Sequence, residues 1–246
     1  MKLEIVAVGA QGAAVAAEEG ADRIELCTAL ELGGLTPSQG LMEAAQEAAD
    51  GRLEIHPLIR SRPGDFLYSD ADVDTMAREI RFLLSQGAHG VVIGVLTASG
   101  DIDIRATRKL ADTALETNPE AQLTFHRAID QTPDPAAAVE QLVELGFTRV
   151  LSSGGAATVG AGIATLERMV QRVAGRLEVM AGGGLALDDI SVLRAAGLSA
   201  VHLSAKATVS SWKKLDRSIG APGDSDPTAY MVTNRDLVRA ARAASR

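Results

Sequence analysis

Residues 134–155 are DPAAAVEQLVELGFTRVLSSGG, and this stretch contains one complete unit of the repeat that decides the fold. Asp134-Pro135 is typical of a helix start, because aspartate caps a helix and proline fits its first turn. Between residues 136 and 145 the apolar side chains follow the 3.6-residue period of a helix. Gly146 predicts the helix end, since glycine adopts the left-handed conformation of a C-cap without strain. A short aliphatic strand over 148–153 completes the unit.

The same alternation of a short strand and an amphipathic helix recurs along the whole chain. Strands are predicted near residues 3–9, 23–27, 53–60, 90–96, 122–128, 148–153, 177–181 and 200–204. The last helix is predicted over Tyr230 to Ala244, after a loop rich in Gly, Pro, Asp and Ser over 220–226. Eight units of roughly 31 residues match the size of an α/β TIM (β/α)8 barrel, about 250 residues. We therefore predict a single TIM-barrel domain over 1–246; a doubly wound sheet is the alternative, but no GxGxxG follows the first strand.

Composition excludes several classes of protein. The chain is acidic, with a formal charge of −8, and so lacks the basic surface that nucleic acid requires. No apolar run approaches the roughly 20 residues of a membrane span, and no signal-peptide core follows Met1. Cys27 is the only cysteine, which rules out a disulfide within the chain and a cysteine-rich zinc site. We expect a cytoplasmic protein that binds neither nucleic acid nor membrane.

In a TIM barrel the functional site lies at the carboxyl ends of the strands, so polar residues on the strands are the informative ones. The two-residue period of a strand predicts that six of them point into one lumen: Glu4, Glu25, His56, Arg60, His126 and His202. Buried charges are costly unless they are paired. An internal ion-pair network, for example Glu25 with Arg60, would explain the cluster without any chemistry.

Glycine-rich strand ends indicate an anion site. Ser152–Gly155 ends the sixth strand, 182–184 ends the seventh and Ser204-Ala205 ends the eighth. Backbone N–H groups in such loops can approach an anion closely. Only Lys206 lies near a strand end, which disfavours a Schiff-base aldolase.

Two kinds of chemistry remain open at these strand ends. One is proton abstraction by Glu25 or His126, with Arg60 beside the developing charge. The other is a hard divalent metal held by Glu25, His56 and His126.

Several sequence blocks resemble those of the CutC copper-homeostasis family. The blocks are Asp22–Cys27, Gly33–Ser38, Ile59–Ser69, Thr124–Asp130, Arg149–Gly155, Met180–Gly184 and His202–Ala205. The resemblance covers about residues 3–206, whereas the part from 207 to 246, predicted as a loop plus a final helix, matches weakly. It implies a cytoplasmic TIM barrel, usually a homo-oligomer, with copper-ion binding and no established reaction.

In this family the copper role is proposed for two cysteines, and the chain keeps one of them. Cys27 lies in the Glu-Leu-Cys block, but Val6, followed by Ala7, stands where other members carry a cysteine on the first strand. Leu32, Ser61 and Pro63 are further departures from the family pattern. Cu(I) prefers thiolate and thioether ligands, so Cys27 is the predicted metal ligand.

The candidate site residues fall into three groups. Glu25 and His126 are the candidate acid/base groups, Cys27 is the candidate copper ligand, and the candidate ligand-binding residues are Arg60, Arg127, Asp130, Ser153, Gly154, Gly183 and Ser204. The first functional prediction is a CutC-like protein of copper homeostasis whose pocket binds a small anionic molecule. The alternative is a TIM-barrel lyase or isomerase that acts on a small phosphorylated or carboxylated substrate and has no direct role with copper.

Overall fold

The computed structural model describes residues 1–210 and 228–246, which contain a sheet of eight parallel strands. The strands are Lys2–Ala7 (β1), Arg23–Leu26 (β2), Glu54–Pro57 (β3), Gly90–Ile93 (β4), Gln122–Phe125 (β5), Arg149–Ser152 (β6), Glu178–Gly182 (β7) and Ala200–Leu203 (β8). Their order is β3-β2-β1-β8-β7-β6-β5-β4. Just past β3, Leu58 bridges Val92 of β4, and the Ile59 N–H donates to the Val92 carbonyl over 2.8 Å. These contacts bring the two edges together and confirm the predicted TIM barrel.

Each strand of the barrel is followed by a helix. The helices are Ala10–Glu18 (α1), Gln39–Ala49 (α2), Asp70–Ser85 (α3), Ile104–Thr117 (α4), Pro135–Glu144 (α5), Val159–Val173 (α6), Asp189–Ala195 (α7) and Arg235–Ser245 (α8). Asp134 caps α5 as the sequence predicts, because its carboxylate accepts from the N–H groups of Ala136 and Ala137. Gly146 after α5 has φ +78°, the left-handed conformation expected of a helix end.

The strands divide the buried side chains between two regions. Leu3, Ile5, Ile24 and Leu26 point outward into the main apolar core between sheet and helices. The alternate residues point into the barrel, where charged and polar groups replace most of the aliphatic filling. The two-residue period of the strands therefore places polar side chains inside the barrel, as predicted.

The fifth strand is shorter than the sequence predicts. It ends at Phe125, and a 3-10 turn begins at Arg127 instead of a continued strand. The Nδ1 atom of His126 accepts the Ala128 N–H over 3.1 Å, and this bond caps the turn. The turn orients the side chains at the end of β5 toward the mouth of the barrel.

The C-terminal region corrects one prediction. Residues Ala229–Thr233 (β10) are not the start of a helix but pair antiparallel with Lys206–Ser210 (β9). Two features explain the late helix start: β-branched Val232 and Thr233 favour a strand, and Asn234 caps α8. The predicted loop over 220–226 lies outside the described residues. Within the described ranges, no helix has the length and apolar character that crossing a bilayer would need.

Candidate functional site

The carboxyl ends of seven strands, all but β4, surround a cavity of about 420 Å³. Its lining residues are Val6, Glu25, Leu30, Gly33, Leu58, Arg60, Phe66, His126, Arg127, Leu151, Gly183, Gly184, Leu185, His202, Leu203 and Ser204. Seven of these residues have apolar side chains, and the polar side chains come from β2, β8 and the segments after β3, β5 and β8. A cavity of this size and composition suits a small molecule with a few polar groups.

Six of the candidate site residues line this cavity: Glu25, Arg60, His126, Arg127, Gly183 and Ser204. The other four, Cys27, Asp130, Ser153 and Gly154, lie outside its lining. His202 lines it as well, whereas Glu4 and His56 are buried deeper in the barrel.

Glu25 is the buried acid of the cavity. It is 7% exposed, and within the described ranges its carboxyl group accepts no hydrogen bond. The nearest cationic group is His202, whose Nε2 lies 3.8 Å from Glu25 Oε2. Burial raises the pKa of Glu25 to about 7, since the charge on His202 offsets only part of the cost of desolvation. Glu25 can therefore both donate and accept a proton near neutral pH.

His202 is joined to a second buried carboxyl. Its Nδ1 lies 2.7 Å from Glu4 Oε1, and Glu4 is completely buried. Although burial opposes a charged imidazole, the hydrogen bond to Glu4 and the charges of Glu25 and Glu4 raise the pKa of His202. Burial raises the pKa of Glu4. The hydrogen bond with His202 and the charge of Arg23 outweigh this effect and hold the pKa of that carboxyl far below its usual range. Glu4 is thus an anion at neutral pH.

Below the cavity, ion pairs join four strands. Arg23 binds Glu4 through Nε and Glu178 through Nη2, the latter over 2.8 Å. Arg149 binds the same Glu178 carboxyl, and its Nη1 donates to Thr124 over 2.8 Å. Each charge here has an opposite partner, so this part of the interior is a fixed network rather than a binding site.

His56 belongs to this deeper part of the interior. It is completely buried, and its Nε2 lies 3.4 Å from Glu54 Oε2. Burial lowers the pKa of His56, so the ring is neutral at physiological pH. Because His56 lies outside the cavity lining, the structure does not bring it together with Glu25 and His126 at the mouth.

Arg60 is not paired with Glu25. Its Nη1 donates to the carbonyls of Leu32 and Gly34, each over 3.0 Å, and its Nη2 to that of Gly64 over 2.7 Å. In the part of the chain that the structure describes, no carboxylate lies within 4 Å of this guanidinium, so the anticipated ion pair is absent. Arg60 fixes two mouth loops and leaves an uncompensated positive charge at the cavity.

His126 is a donor rather than a base. Because its Nδ1 accepts the Ala128 N–H, the proton of the neutral ring is on Nε2. Burial and the neighbouring Arg60 charge lower the pKa of His126 to about 3. The ring packs against Phe66 with centroids 4.8 Å apart. His126 thus remains neutral at physiological pH.

Asp130 positions the β6 loop from outside the cavity. Its carboxylate accepts from Ser152 Oγ over 2.6 Å, from Ser153 Oγ over 2.9 Å and from the N–H groups of Ser153 and Gly155, both over 3.1 Å. Arg127 donates to the same carboxylate over 2.9 Å. These bonds explain why Asp130 and Ser153 are buried, and they fix the direction of Arg127.

Arg127 lies over Gly183. A Cβ on Gly183 would fall 2.6 Å from Arg127 Cζ, so only glycine permits this contact. The Arg127 side chain is 43% exposed, and its Nη1 makes no hydrogen bond within the described ranges. Arg127 is therefore the cation of the cavity that solvent and a ligand can reach.

The surroundings of Cys27 do not suit a copper ligand. The residue is 1% exposed and packs with Val6, Leu58 and Val92 in an apolar cluster. Burial, together with the charges of Glu25 and Glu31, raises the pKa of the thiol, whereas Cu(I) needs a thiolate. The described ranges also contain no group of three or more His, Cys, Asp or Glu residues that could hold a metal ion. These residues do not fit the copper ion that the resemblance implies.

Comparison with known proteins bears on the family. The CutC family pattern matches residues 1–207 of this chain. This chain belongs to the CutC family. A CutC family protein of Chromobacterium violaceum is 43% identical over 98% of this chain and 97% of its own length.

Solved structures support the same assignment. The CutC protein of Streptococcus agalactiae, whose name proposes a role in copper homeostasis, is 28% identical with a TM-score of 0.77, over 83% of this chain and 98% of its own. 3-Hexulose-6-phosphate synthase matches over 100% of both chains with a TM-score of 0.61, but at 18% identity it shows the fold alone. Together they place this CutC chain among TIM barrels.

The sequence predicts His202 in the lumen, but His202 is not among the predicted candidate site residues. Also absent from the prediction are Arg23, Arg149 and Glu178, which fix the interior. The signal was present for Arg23, since a two-residue period puts it on the same face of β2 as Glu25.

Proposed function

We propose that this CutC protein is an acid–base enzyme of the lyase or isomerase type that binds a small phosphorylated or carboxylated molecule at the carboxyl ends of its strands. Arg127 and Arg60 would attract the anionic group. Glu25 would exchange a proton with the carbon skeleton.

One observation carries this proposal: the cavity keeps opposite charges apart. Glu25 and Arg60 line the same cavity, yet neither has the other as a partner within 4 Å in the described ranges. A barrel stabilised only by its charges would pair them, as it pairs Arg23 with Glu4 below. Separated buried charges are costly, and a ligand that carries a negative group and a weakly acidic proton would satisfy both.

The other walls indicate the size of the ligand. Leu58, Leu151 and Leu203 supply apolar surface, and about 420 Å³ accommodates a small organic molecule. The Nε2–H of neutral His126 is buried and has no hydrogen-bond partner among the described residues, so it would donate to a ligand oxygen only after a shift of the ring. We propose that the protein works in the cytoplasm as a homo-oligomer and binds neither nucleic acid nor membrane.

Calorimetric titration with inorganic phosphate and with phosphoglycolate, a phosphorylated carboxylate, tests the binding step. Arg127→Gln should weaken binding about tenfold or more, because a charge-assisted hydrogen bond contributes about 1.5 to 3 kcal/mol. Arg105→Gln is the matched control, since Arg105 is an exposed arginine outside the cavity lining. Absence of binding by both probes at 10 mM, or equal losses in the two variants, would refute the anion site.

Deuterium incorporation from D2O tests the proton transfer. A panel of short keto acids and sugar phosphates should include a compound whose exchange is catalysed by the wild type and lost in Glu25→Gln. Exchange that persists in Glu25→Gln would remove Glu25 from the reaction.

A copper role is the second candidate, and it rests on the name of the Streptococcus agalactiae relative. The burial of Cys27 argues against that residue as the ligand.

A further inference from the structure

His202 is held between two carboxyl groups at the base of the cavity. Its Nδ1 lies 2.7 Å from Glu4 Oε1, and its Nε2 lies 3.8 Å from Glu25 Oε2. The ring packs beside Gly182 of β7, where a Cβ would come within 2.9 Å of the His202 Cβ. The position of the imidazole is therefore fixed on three sides.

Glu4 determines which nitrogen of His202 carries the proton. Arg23 Nε donates to Glu4 Oε2, and His202 faces the other oxygen, Oε1. A buried carboxylate beside a guanidinium keeps its negative charge and can only accept hydrogen bonds. The proton of the neutral His202 ring must then be on Nδ1, which leaves the lone pair of Nε2 facing Glu25 and the cavity.

We infer that His202 is a second proton-transferring group of the cavity and that Glu4 is its positioning residue. This inference rests on the proposed acid–base function and names the partner of Glu25 in it. His126 has the opposite tautomer because its Nδ1 accepts the Ala128 N–H. Of the two histidines that line the cavity, His126 is a fixed donor and His202 is the base.

The pair can complete a proton shift without any co-reactant. His202 Nε2 takes a proton from the bound molecule, and the electron pair of the broken bond stays on that molecule. Protonated Glu25 then returns a proton to a different atom of the same molecule. A final transfer from His202 Nε2 to Glu25 Oε2 restores both groups, so that protons and charges balance.

Three charged groups face His202 from the neighbouring strands. Glu4 comes from β1, and Glu25 and Arg23 come from β2; the two carboxyl groups favour protonation of His202, while Arg23 and burial oppose it. Removal of either carboxyl charge should therefore lower the pH at which His202 titrates.

Two-bond ¹H–¹⁵N NMR of protein labelled with ¹⁵N-histidine tests the inference, because the two neutral tautomers give different nitrogen shifts. His202→Asn and His126→Asn assign the signals. In the wild type we expect His202 with its proton on Nδ1 and His126 with its proton on Nε2. Glu25→Gln should lower the His202 midpoint by about one pH unit or more and keep the tautomer. Glu4→Gln should abolish the tautomer preference.

Glu47→Gln, on the exposed face of α2, is the control and should leave both signals unchanged. A wild-type His202 with its proton on Nε2, or a midpoint that Glu25→Gln does not move, would overturn the inference. If phosphate and phosphoglycolate do not bind while the tautomers are as expected, the proposed anion site is refuted and the assignment of Glu4 as the positioning residue of His202 is still supported.

Discussion

The buried carboxyl of Glu25 should make the protein less stable as the pH rises. Its pKa is raised from 4.5 to about 7 in the folded state, whereas in the unfolded chain it is that of an exposed glutamate. Between these two values the unfolded state binds fewer protons than the folded state, so the free energy of unfolding falls with pH. Each unit of pKa corresponds to about 1.4 kcal/mol, and the full effect above pH 7 is therefore about 3 kcal/mol.

Glu25→Gln removes this titration, because glutamine has nearly the shape of a protonated glutamate and no charge. We expect the variant to be about 3 kcal/mol more stable than the wild type at pH 8, a rise of roughly 6–12 °C in Tm, and nearly equal to it at pH 4.5. Urea unfolding at pH 4.5, 6, 7 and 8 measures the difference, with Glu47→Gln on the exposed face of α2 as the control. A difference that does not change with pH, or a variant less stable than wild type at pH 8, would refute the assignment of Glu25 as a desolvated acid.

Four further substitutions test other parts of the structure. Cys27→Ala should change the Cu(I) affinity less than about threefold in a competition with a chelator under reducing conditions, because a buried protonated thiol is a poor ligand; loss of stoichiometric binding would contradict this. Gly154→Ala should cost about 3 kcal/mol or more in urea unfolding, since φ is +75° and the new Cβ would lie 2.3 Å from the Gly162 carbonyl oxygen. Gly175→Ala, with φ +80° and open space around it, should cost only about 1 kcal/mol, and equal losses would show that the close contact is unimportant. Asp130→Asn should destabilise the protein by about 3 kcal/mol in urea unfolding, because an NH2 group replaces one of two carboxylate oxygens that accept from a buried set of N–H and O–H donors. An unchanged midpoint would show that those bonds contribute little.

The architecture of the barrel was readable from sequence because it depends on local periods. The helix start at Asp134 and the helix end at Gly146 are both confirmed. The two-residue period of the strands correctly predicted that Glu25 and His202 are buried, since each strand of a closed barrel has one face toward the lumen. The start of the last helix was misplaced because a strand at 229–233 depends on pairing with β9, which no local period reports.

The roles of the lumen residues could not be obtained in the same way. His126 and His202 look equivalent in sequence, yet one accepts a backbone N–H through Nδ1 and the other faces Glu4 through Nδ1. The tautomer is set by these hydrogen-bond partners, which are local for His126 and tertiary for His202. Arg60 is a similar case, because the carbonyls that occupy its terminal nitrogens come from loops up to 28 residues away. The sequence shows which polar side chains the lumen contains, and their hydrogen-bond partners in the fold determine the role of each.

The hydrogen bond between Glu4 and His202 joins residues 198 positions apart, on the first and last strands of the ring. A nascent chain can fold its early strand–helix units while the ribosome is still adding later ones, but this dyad is absent until β8 has emerged and docked against β1. No half-barrel fragment holds both members. If the proposed acid–base function holds, an incomplete translation product that ends before β8 would lack its His202 base.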